Sequence, residues 1–180
     1  MPLLTEADTC RKYVLPKFYA ARWNDDQISE QKSFTDGRIV VGGRKPTRGR
    51  QKRADYLLRY RHNFPIAVVE AKTIYKTPGS GLQQAKDYAE ILGLKFAYAT
   101  NGRGIVEHDF LTGKDTDLQV FPTPDDLWDR LRTAENITPE IADNVLAPYY
   151  HMPNKFPDTT KRSQSTGLCK RYCKANVGIS

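Results

Sequence analysis

Hydrophobic residues recur at helical spacing in four segments of the chain. In the first segment, Thr5 and Asp8 are spaced as an N-cap pair and apolar residues follow, so we expect a helix that Pro16 breaks or kinks. The second segment is LQQAKDYAEIL, which follows a glycine-rich turn and ends at Gly93, as glycine often lies just past the last turn. The last two helices are predicted over 124–132 and 139–146.

Strand-forming residues occupy the segments between these helices. The pattern is clearest where two β-branched and aromatic runs flank a short turn region, which predicts a hairpin. The predicted strands are 33–41 (a strand or a hairpin), 54–60, 66–72, 95–100, 105–110 and 118–121. Asn101-Gly102 and Thr112-Gly113 are turn signals between the later strands. The order of elements predicts one α/β (α+β) domain with a central mixed β-sheet flanked by helices.

The turn of the predicted hairpin sets which residues of the 54–60 and 66–72 strands face each other. If the turn is centred between His62 and Asn63, paired residue numbers add to 125 and Asp55 lies opposite Glu70. The Cβ atoms of such a pair are about 5 Å apart on one face of the sheet. Strand alternation places Lys72 on that face as well. Since the strands are otherwise apolar, we expect them to be central and covered on both faces.

Two carboxylates beside an apolar core are costly unless a cation or a proton lies between them. Oxygen ligands from Asp55, Glu70 and the carbonyl of Ala71 suit Mg²⁺, which can contact a phosphate oxygen and help to activate water. Lys72 would position that water or neutralise charge that develops on phosphorus. The alternative is an ordinary strand-start Asp and a surface Glu/Lys pair, but the apolar run IAVVEAK makes an unpaired Glu expensive.

The positive charge of the chain is concentrated rather than spread. The 180 residues include 28 Lys and Arg against 21 Asp and Glu, whereas 38–61 holds nine basic residues and a single acid, Asp55. A DNA backbone would bind such a segment, although a solvated basic loop has the same composition. The candidate DNA contacts there are Arg48, Arg50, Lys52 and Arg53. Lys86 and Arg103 are either isolated phosphate contacts or solvated charges.

Composition and short motifs exclude several classes of protein. With 39% hydrophobic residues and no apolar stretch of about 20 residues, the chain is typical of a globular protein that does not span a membrane. Three cysteines and an N-terminus without a secretory pattern favour a reducing cytoplasm. No G-x-x-x-x-G-K-[ST] phosphate loop is present, so we do not expect this chain to hydrolyse ATP.

The candidate metal ligands resemble a known catalytic motif. Asp55 followed by Glu70-Ala71-Lys72 resembles the PD-(D/E)xK nuclease motif, with Ala54 in place of the proline. The resemblance implies that Asp55 and Glu70 bind the metal and that Lys72 is the catalytic lysine.

The similarity extends beyond these residues along the chain. The segments RADYLL, IAVVEAK, GLQQAKDYAEILGLKFAYATNG and EHDFLTGK resemble the N-terminal nuclease domain of type I restriction enzyme R (restriction and translocation) subunits. The resemblance covers 3–162 and is strongest over 53–114. It implies that a Glu on an N-terminal helix completes the metal site, for which Glu6 is the first candidate and Glu30 the second.

Gln84 and Tyr88 match the QxxxY element of the RecB-like branch of these nucleases. The two residues are four positions apart and share one helix face. The resemblance implies that they engage DNA or couple its engagement to translocation. The alternative is a helix that buries Tyr88 with Leu92 and exposes Gln84.

The function implied is that of a Mg²⁺-dependent endonuclease domain, which cleaves double-stranded DNA within a larger complex that also holds methylation and specificity subunits. ATP would serve only motor domains that this chain lacks. A non-catalytic DNA-binding or assembly module with the same fold, and a standalone nuclease of the superfamily, remain alternatives. We expect the nuclease domain over 1–153 and a basic, poorly ordered tail over 154–180, the truncated start of a linker to a missing helicase motor. The end of that tail does not resemble the expected continuation and suggests an out-of-frame end.

Overall fold

A six-stranded mixed sheet forms the centre of the fold. The computed structural model describes residues 4–35, 40–42, 45–47, 51–61 and 63–147. The strands are β1 (Ile28–Thr35), β2 (Val40–Gly42), β3 (Lys45–Thr47), β4 (Gln51–Arg61), β5 (Phe64–Ala71), β6 (Phe96–Thr100), β7 (Ile105–Asp109) and β8 (Lys114–Leu118). The order in the large sheet is β1-β4-β5-β6-β7-β8, and β2 pairs with β3 in a separate ribbon. Within the large sheet β5 and β6 are parallel, and the other neighbours are antiparallel.

Helices cover both faces of this sheet. They are α1 (Glu6–Thr9), α2 (Leu15–Ala20), α3 (Leu82–Leu92), α4 (Pro124–Ala134) and α5 (Pro139–Leu146), with 3₁₀ turns at Asp25–Gln27 and Pro78–Gly81. The mixed sheet with flanking helices confirms the predicted α/β (α+β) class. Helix α5 has the predicted bounds, and α3 ends at Gly93 with a φ of 70°, the left-handed conformation expected of a terminating glycine.

The first helix accommodates its proline through a wider turn. Thr5 and Asp8 form the predicted capping box, in which the amide of Asp8 donates to Oγ1 of Thr5 at 3.1 Å. A π-helical segment, Cys10–Val14, then connects α1 to α2, and Pro16 lies in the first turn of α2. A proline removes one helical hydrogen bond and its ring crowds the carbonyl four residues earlier. The π-helical turn relieves both problems, so the chain continues as a helix instead of breaking.

Each face of the sheet packs against its own helices. On one face, Ala89 of α3 belongs to the same buried cluster as Leu57 and Val68. On the other face, Phe18 of α2 contacts Tyr56 edge-on, with ring centroids 5.1 Å apart. All eight residues of β5 are buried, so the β4–β5 pair is central and covered on both faces, as predicted.

The register predicted for the β4–β5 hairpin is confirmed. Tyr56 pairs with Val69 and Leu58 pairs with Ala67, so the paired residue numbers add to 125. The ladder is irregular only close to the turn, between Leu58 and Arg61. This register directs Asp55 and Glu70 to the same face of the sheet, the face that α3 covers.

The prediction of a last strand over 118–121 is wrong. Strand β8 covers Lys114–Leu118 and begins directly after Gly113, whose φ of 72° closes the turn from β7. The first four residues of β8 are polar and exposed and only the last, Leu118, is apolar, so no apolar alternation marks the strand. The apolar Phe121 lies beyond the strand and packs against Phe18 in the core.

Strand β1 is distorted opposite Asp55. The β1–β4 ladder is paired on both sides of this position, but Gln31, which lies opposite Asp55 in the register, forms no pair and has a φ of 47°. This left-handed region is unfavourable for a residue with a Cβ atom. The other non-glycine residues with positive φ among those described, Arg22 and Asn136, follow helix ends, where such a conformation is common. Of these three described residues, Gln31 is the one that lies within a strand.

A buried ion network lies on the face of the sheet opposite α3. Glu107 and Asp109 of β7 are both buried, and Arg130 of α4 donates to them at 2.8 and 2.7 Å. The hydroxyl of Tyr98 donates to Oε2 of Glu107 at 2.5 Å, and the guanidinium lies 4.6 Å from the ring centroid of Phe96. The network fixes α4 to β6 and β7.

Several predicted features lie outside the described residues. They are the DNA contacts Arg48 and Arg50, the turn at Asp36-Gly37, the domain boundary after residue 153 and the basic tail over 154–180. No helix in the described part of the chain has the length and apolar character that a membrane crossing requires.

Candidate active site

Asp55 is held in place by the neighbouring strand. The amide of Ala71 in β5 donates to Oδ2 of Asp55 in β4 at 2.8 Å. Burial raises the pKa of Asp55, although the bond from Ala71 and the charge of Lys72 both favour the carboxylate. The contact with Ala71 occupies Oδ2 and leaves Oδ1 of Asp55 for a further ligand.

Glu70 brings a second carboxyl group into the interior, with only 3% of the residue exposed. Its Oε1 accepts from Nζ of Lys72 at 2.8 Å, whereas its Oε2 is buried with no hydrogen-bond partner among the described residues. Burial raises the pKa of Glu70 to about 7; the bond from Lys72 opposes this shift and the charge of Asp55 adds to it. A buried carboxylate oxygen without a partner is costly unless a cation binds it or a proton neutralises the group.

Lys72 lies between the two strands and α3. Its amide continues the β5–β6 ladder by donating to the carbonyl of Thr100 at 2.8 Å. Its Nζ donates to Oε1 of Glu70 at 2.8 Å and to Oε1 of Gln84 at 3.2 Å. Burial disfavours the ammonium, but the hydrogen bond and the charge of Glu70 outweigh burial and raise the pKa of Lys72. Lys72 is therefore positively charged at neutral pH.

Gly81 lets the backbone approach these two side chains closely. A Cβ atom on Gly81 would lie 3.0 Å from Cγ of Glu70 and 3.3 Å from Cε of Lys72. Gly81 ends the 3₁₀ turn before α3, so the chain that leaves β5 at Lys72 returns to the same site. The sequence marked this glycine only as part of a helix boundary, because its spatial neighbours depend on the tertiary fold.

Gln84 and Tyr88 continue the polar contacts of Lys72 along α3. Nε2 of Gln84 donates to the hydroxyl of Tyr88 at 2.9 Å. The ring of Tyr88 packs edge-on against Phe34, with centroids 5.1 Å apart, and Nζ of Lys52 is 5.9 Å from the ring centroid of Tyr88. Both Gln84 and Tyr88 are half-buried, which differs from the alternative in which Tyr88 is buried and Gln84 exposed. The buried residues of α3 are Ala85, Ala89 and Leu92.

The two described members of the basic segment lie on the strand that carries Asp55. Lys52 is half-buried beside Tyr88, whereas Arg53 is exposed and pairs with Ser33 of β1. Both residues therefore lie a short distance along β4 from the carboxylates.

Glu6 lies in the first turn of α1 and is exposed. Its charge adds slightly to the effect of burial on the pKa of Asp55 and of Glu70. Glu30 is exposed on β1, where it pairs with Tyr56. Across the described ranges, no three His, Cys, Asp or Glu side chains are grouped closely enough to hold a metal ion. A third carboxylate ligand therefore stays a prediction.

The donor atoms at this site fit a hard divalent cation. Oε2 of Glu70 has no hydrogen-bond partner in the part of the chain that the structure describes, and Oδ1 of Asp55 lies outside the bond to Ala71, so both carboxylates offer an oxygen ligand. Mg²⁺ prefers such ligands and keeps several waters when only one or two carboxylates bind it.

Asn101 lies in the predicted turn after β6, and its side chain also bonds to the loop that follows β5. The side chain is 5% exposed. Its Nδ2 donates to the carbonyl of Lys76 at 2.7 Å, and its Oδ1 accepts from the amides of Arg103 and Gly104, both at 3.0 Å. Asn101 thus joins the loop after β5 to the loop after β6. An Asn-Gly pair in the sequence signals the turn but not the partner loop.

Comparison with known proteins gives two similarities that each cover most of the chain. No protein-family model matches it. The chain is 34% identical over 154 residues to the type I restriction enzyme EcoAI endonuclease subunit of Escherichia coli, across 82% of this chain and 19% of that subunit. Among solved structures, a fragment described as the HsdR subunit of a type I restriction enzyme from Vibrio vulnificus YJ016 matches with a TM-score of 0.73 and 56% identity, across 84% of this chain and 30% of that one.

The chain spans less than a third of the length of either relative. Within that span, the similarity includes the β4–β5 hairpin, α3 and the strands that follow, since it covers more than four-fifths of the chain. The chain therefore belongs to the family of type I restriction enzyme endonuclease (HsdR) subunits and corresponds to a part of their length.

Proposed function

We propose that this chain is the Mg²⁺-dependent endonuclease domain of a type I restriction-modification system and hydrolyses phosphodiester bonds of double-stranded DNA. The observation that carries the proposal is the buried Oε2 of Glu70, which has no hydrogen-bond partner among the described residues, while Oε1 of the same side chain accepts from Lys72 and the next residue, Ala71, holds Asp55. If the Glu70–Lys72 ion pair were only structural, nothing would explain why Oε2 of Glu70 is buried without a hydrogen-bond partner among the described residues.

Asp55 and Glu70 would hold the metal ion. The donors would be Oδ1 of Asp55, Oε2 of Glu70 and the carbonyl of Ala71. The bound ion would supply charge neutralisation at the scissile phosphate and lower the pKa of a water molecule. The amide of Ala71 fixes Asp55, so the two carboxylates are oriented by the backbone of one hairpin before any ligand binds.

Lys72 would act as a cation and hydrogen-bond donor. The hydrogen bond and the charge of Glu70 raise the pKa of Lys72, which favours the ammonium form. Its Nζ would donate to a phosphate oxygen or to the attacking water and stabilise the charge that develops on phosphorus. Gln84 contacts Nζ from α3, so the position of the ammonium does not depend on Glu70 alone.

Gln84, Tyr88 and the basic segment would engage DNA. A chain of contacts leads from Lys72 to β4, the strand that carries Arg53. Lys72 bonds to Gln84, Gln84 bonds to Tyr88, and Nζ of Lys52 on β4 lies near the ring of Tyr88. A phosphate backbone bound along this strand would therefore lie beside the catalytic lysine. Arg48 and Arg50, which lie outside the described residues, would add phosphate contacts through their charge.

The activity would belong to a larger cytoplasmic complex. Sequence recognition and methylation would come from other subunits, and ATP-driven translocation from parts of the subunit beyond this chain. The similarity of the chain to less than a third of each relative supports this division.

The test is an assembled complex that carries Asp55→Ala, Glu70→Ala or Lys72→Ala. We expect each variant to cut double-stranded DNA at least about 100-fold more slowly with an unchanged rate of ATP hydrolysis. The matched control is Asp117→Ala, which removes an exposed carboxylate from β8. Wild-type cleavage by all three site variants would reject the proposal and favour a non-catalytic module. Efficient Mg²⁺-dependent cleavage by the isolated chain would favour a standalone nuclease.

A further inference from the structure

Two loops beside the site form one fixed unit. They comprise residues 73–80 and 101–104, and are called the loop pair below. Asn101 links the two loops through its hydrogen bond to Lys76. The loops also pack closely, because the backbone of Gly104 lies so near Pro78 that a Cβ atom on Gly104 would be 2.7 Å from Cγ of Pro78. A Cβ atom on Gly102 would lie 2.6 Å from Cβ of Tyr13, and Nζ of Lys17 donates to the carbonyl of Arg103 at 3.0 Å. The loop pair is therefore anchored to the first helix as well.

Both ends of the 73–80 loop touch the site. The loop leaves β5 at Lys72 and returns at Gly81, whose backbone lies against Glu70 and Lys72. Lys76 is four residues from Lys72, so their Cα atoms are at most about 14 Å apart. The turn in which the amide of Lys76 donates to the carbonyl of Thr73 shortens that distance.

The loop pair carries exposed groups that suit a phosphate backbone. Tyr75 is 61% exposed, and Lys76 and Arg103 are exposed and form no ion pair with any other described residue. Lys86, by contrast, pairs with Asp115 at 2.9 Å.

The sequence around the loop pair is free of acids. No Asp or Glu occurs from residue 71 to 86 or from residue 91 to 106. Apart from Glu70, which lies against Gly81 and is bound to Lys72, the acids of the helix that packs against Gly102 are Glu6 and Asp8 of α1, and Asp8 is bound to Thr5. The loop pair therefore presents positive charge that neighbouring carboxylates do not neutralise.

We propose that the loop pair is a second DNA-contact surface, distinct from the basic segment, which binds the strand backbone next to the cleaved bond. Lys76 and Arg103 bind phosphates, and the ring of Tyr75 packs against the sugar–phosphate chain. Since backbone phosphates advance 3.4 Å per nucleotide along the duplex axis, a phosphate bound by Lys76 lies within several nucleotides of the scissile phosphate. The inference rests on the proposed nuclease function, because it takes DNA to be the substrate.

The experiment measures binding of the full 180-residue chain to a fluorescein-labelled duplex of about 20 base pairs, without divalent metal, over a series of salt concentrations. We expect Lys76→Ala and Arg103→Ala each to weaken binding at least about threefold and to reduce the salt slope by about 1. Tyr75→Ala should weaken binding at least about fivefold with little change in slope. The matched control is Lys114→Ala, which removes an exposed cation from β8.

Circular dichroism should show that each variant folds, since all three side chains are exposed. Binding losses no larger than that of Lys114→Ala, or no measurable duplex binding by the wild-type chain, would overturn the inference. If the loop-pair variants bind normally while Asp55→Ala still abolishes cleavage in the assembled complex, the proposed function stands and the second surface does not exist. If Asp55→Ala, Glu70→Ala and Lys72→Ala all cleave normally in the assembled complex, the proposed function fails whatever the binding result.

Discussion

The amide of Ala71 donates a hydrogen bond of 2.8 Å to Oδ2 of Asp55, so the strand that carries Glu70 also fixes the other carboxylate. An amide oxygen can accept the same bond, and Asp55→Asn removes one of two neighbouring negative charges. Without divalent metal, we expect Asp55→Asn to increase the free energy of unfolding by about 1 kcal/mol, or about 2–4 °C in melting temperature. Thermal unfolding followed by circular dichroism measures this.

The same variant should lose any stabilisation by Mg²⁺, because one of the two proposed carboxylate ligands is gone. Asp117→Asn, on the exposed edge strand β8, is the control and should change neither quantity. A lower melting temperature for Asp55→Asn in metal-free buffer would show that the carboxylate pair is not a source of instability.

A methyl group at Gly81 should disturb the site more than the fold. The added Cβ of Gly81→Ala would press on Cγ of the buried Glu70 and on Cε of Lys72, so these side chains must shift and we expect a loss of about 1 kcal/mol of stability. DNA cleavage by the assembled complex should fall at least about tenfold, because small displacements of catalytic groups are costly. Gly79→Ala is the matched control, since its Cβ would be 3.6 Å from the nearest side-chain atom, on Val106. Equal cleavage by the two variants would contradict this prediction.

Because the backbone of Gln31 in β1 is strained, glycine should affect stability differently at position 31 and at position 29 of that strand. Gln31→Gly relieves a left-handed backbone, whereas Ser29→Gly weakens a regular strand position that pairs with Leu57. We expect Gln31→Gly to be more stable than Ser29→Gly by at least about 1 kcal/mol in urea unfolding. Gln31→Val should destabilise by about 1–2 kcal/mol, because a β-branched residue tolerates positive φ poorly. Equal stabilities of the two glycine variants would show that Gln31 is not strained.

Arg130 should matter more to stability than the other arginine of α4. Arg130→Leu leaves Glu107 and Asp109 buried without their cation, and we expect a loss of about 3 kcal/mol. Arg132 pairs with Asp129 on the surface, so Arg132→Ala should cost less than about 0.5 kcal/mol. Urea unfolding compares the two, and similar losses would mean that the buried network adds no stability.

The parts of the fold that could be predicted are those whose signals lie close together in the sequence. The β4–β5 hairpin follows from two apolar runs and a short turn, and its register followed from the turn centre. Helix α5 has the predicted bounds because its start is marked locally: Thr138 caps the helix and Pro139 occupies its first turn. The juxtaposition of Glu70 and Lys72 likewise follows from strand alternation.

The parts that could not be predicted depend on neighbours distant in the chain. β8 is polar, and its place is set by the ladder from β7. The left-handed backbone of Gln31, the bonds of Asn101 to a second loop and the close approach of Gly81 leave no periodic pattern in a single sequence. Each of these residues nevertheless lies beside or supports the site.

The hairpin that carries the site also bears on how the site forms during folding. Asp55 and Lys72 are 17 positions apart, and the two strands that hold them close through a turn at Asn63. Contacts of such short sequence separation need little loop-closure entropy and form early compared with pairings across the chain. The parallel pairing of β5 with β6 must wait for the crossover through α3. We therefore expect the two carboxylates to come together before the helix that supplies Gln84 has docked, so that the last contact to form at the site is the one to Lys72 from α3.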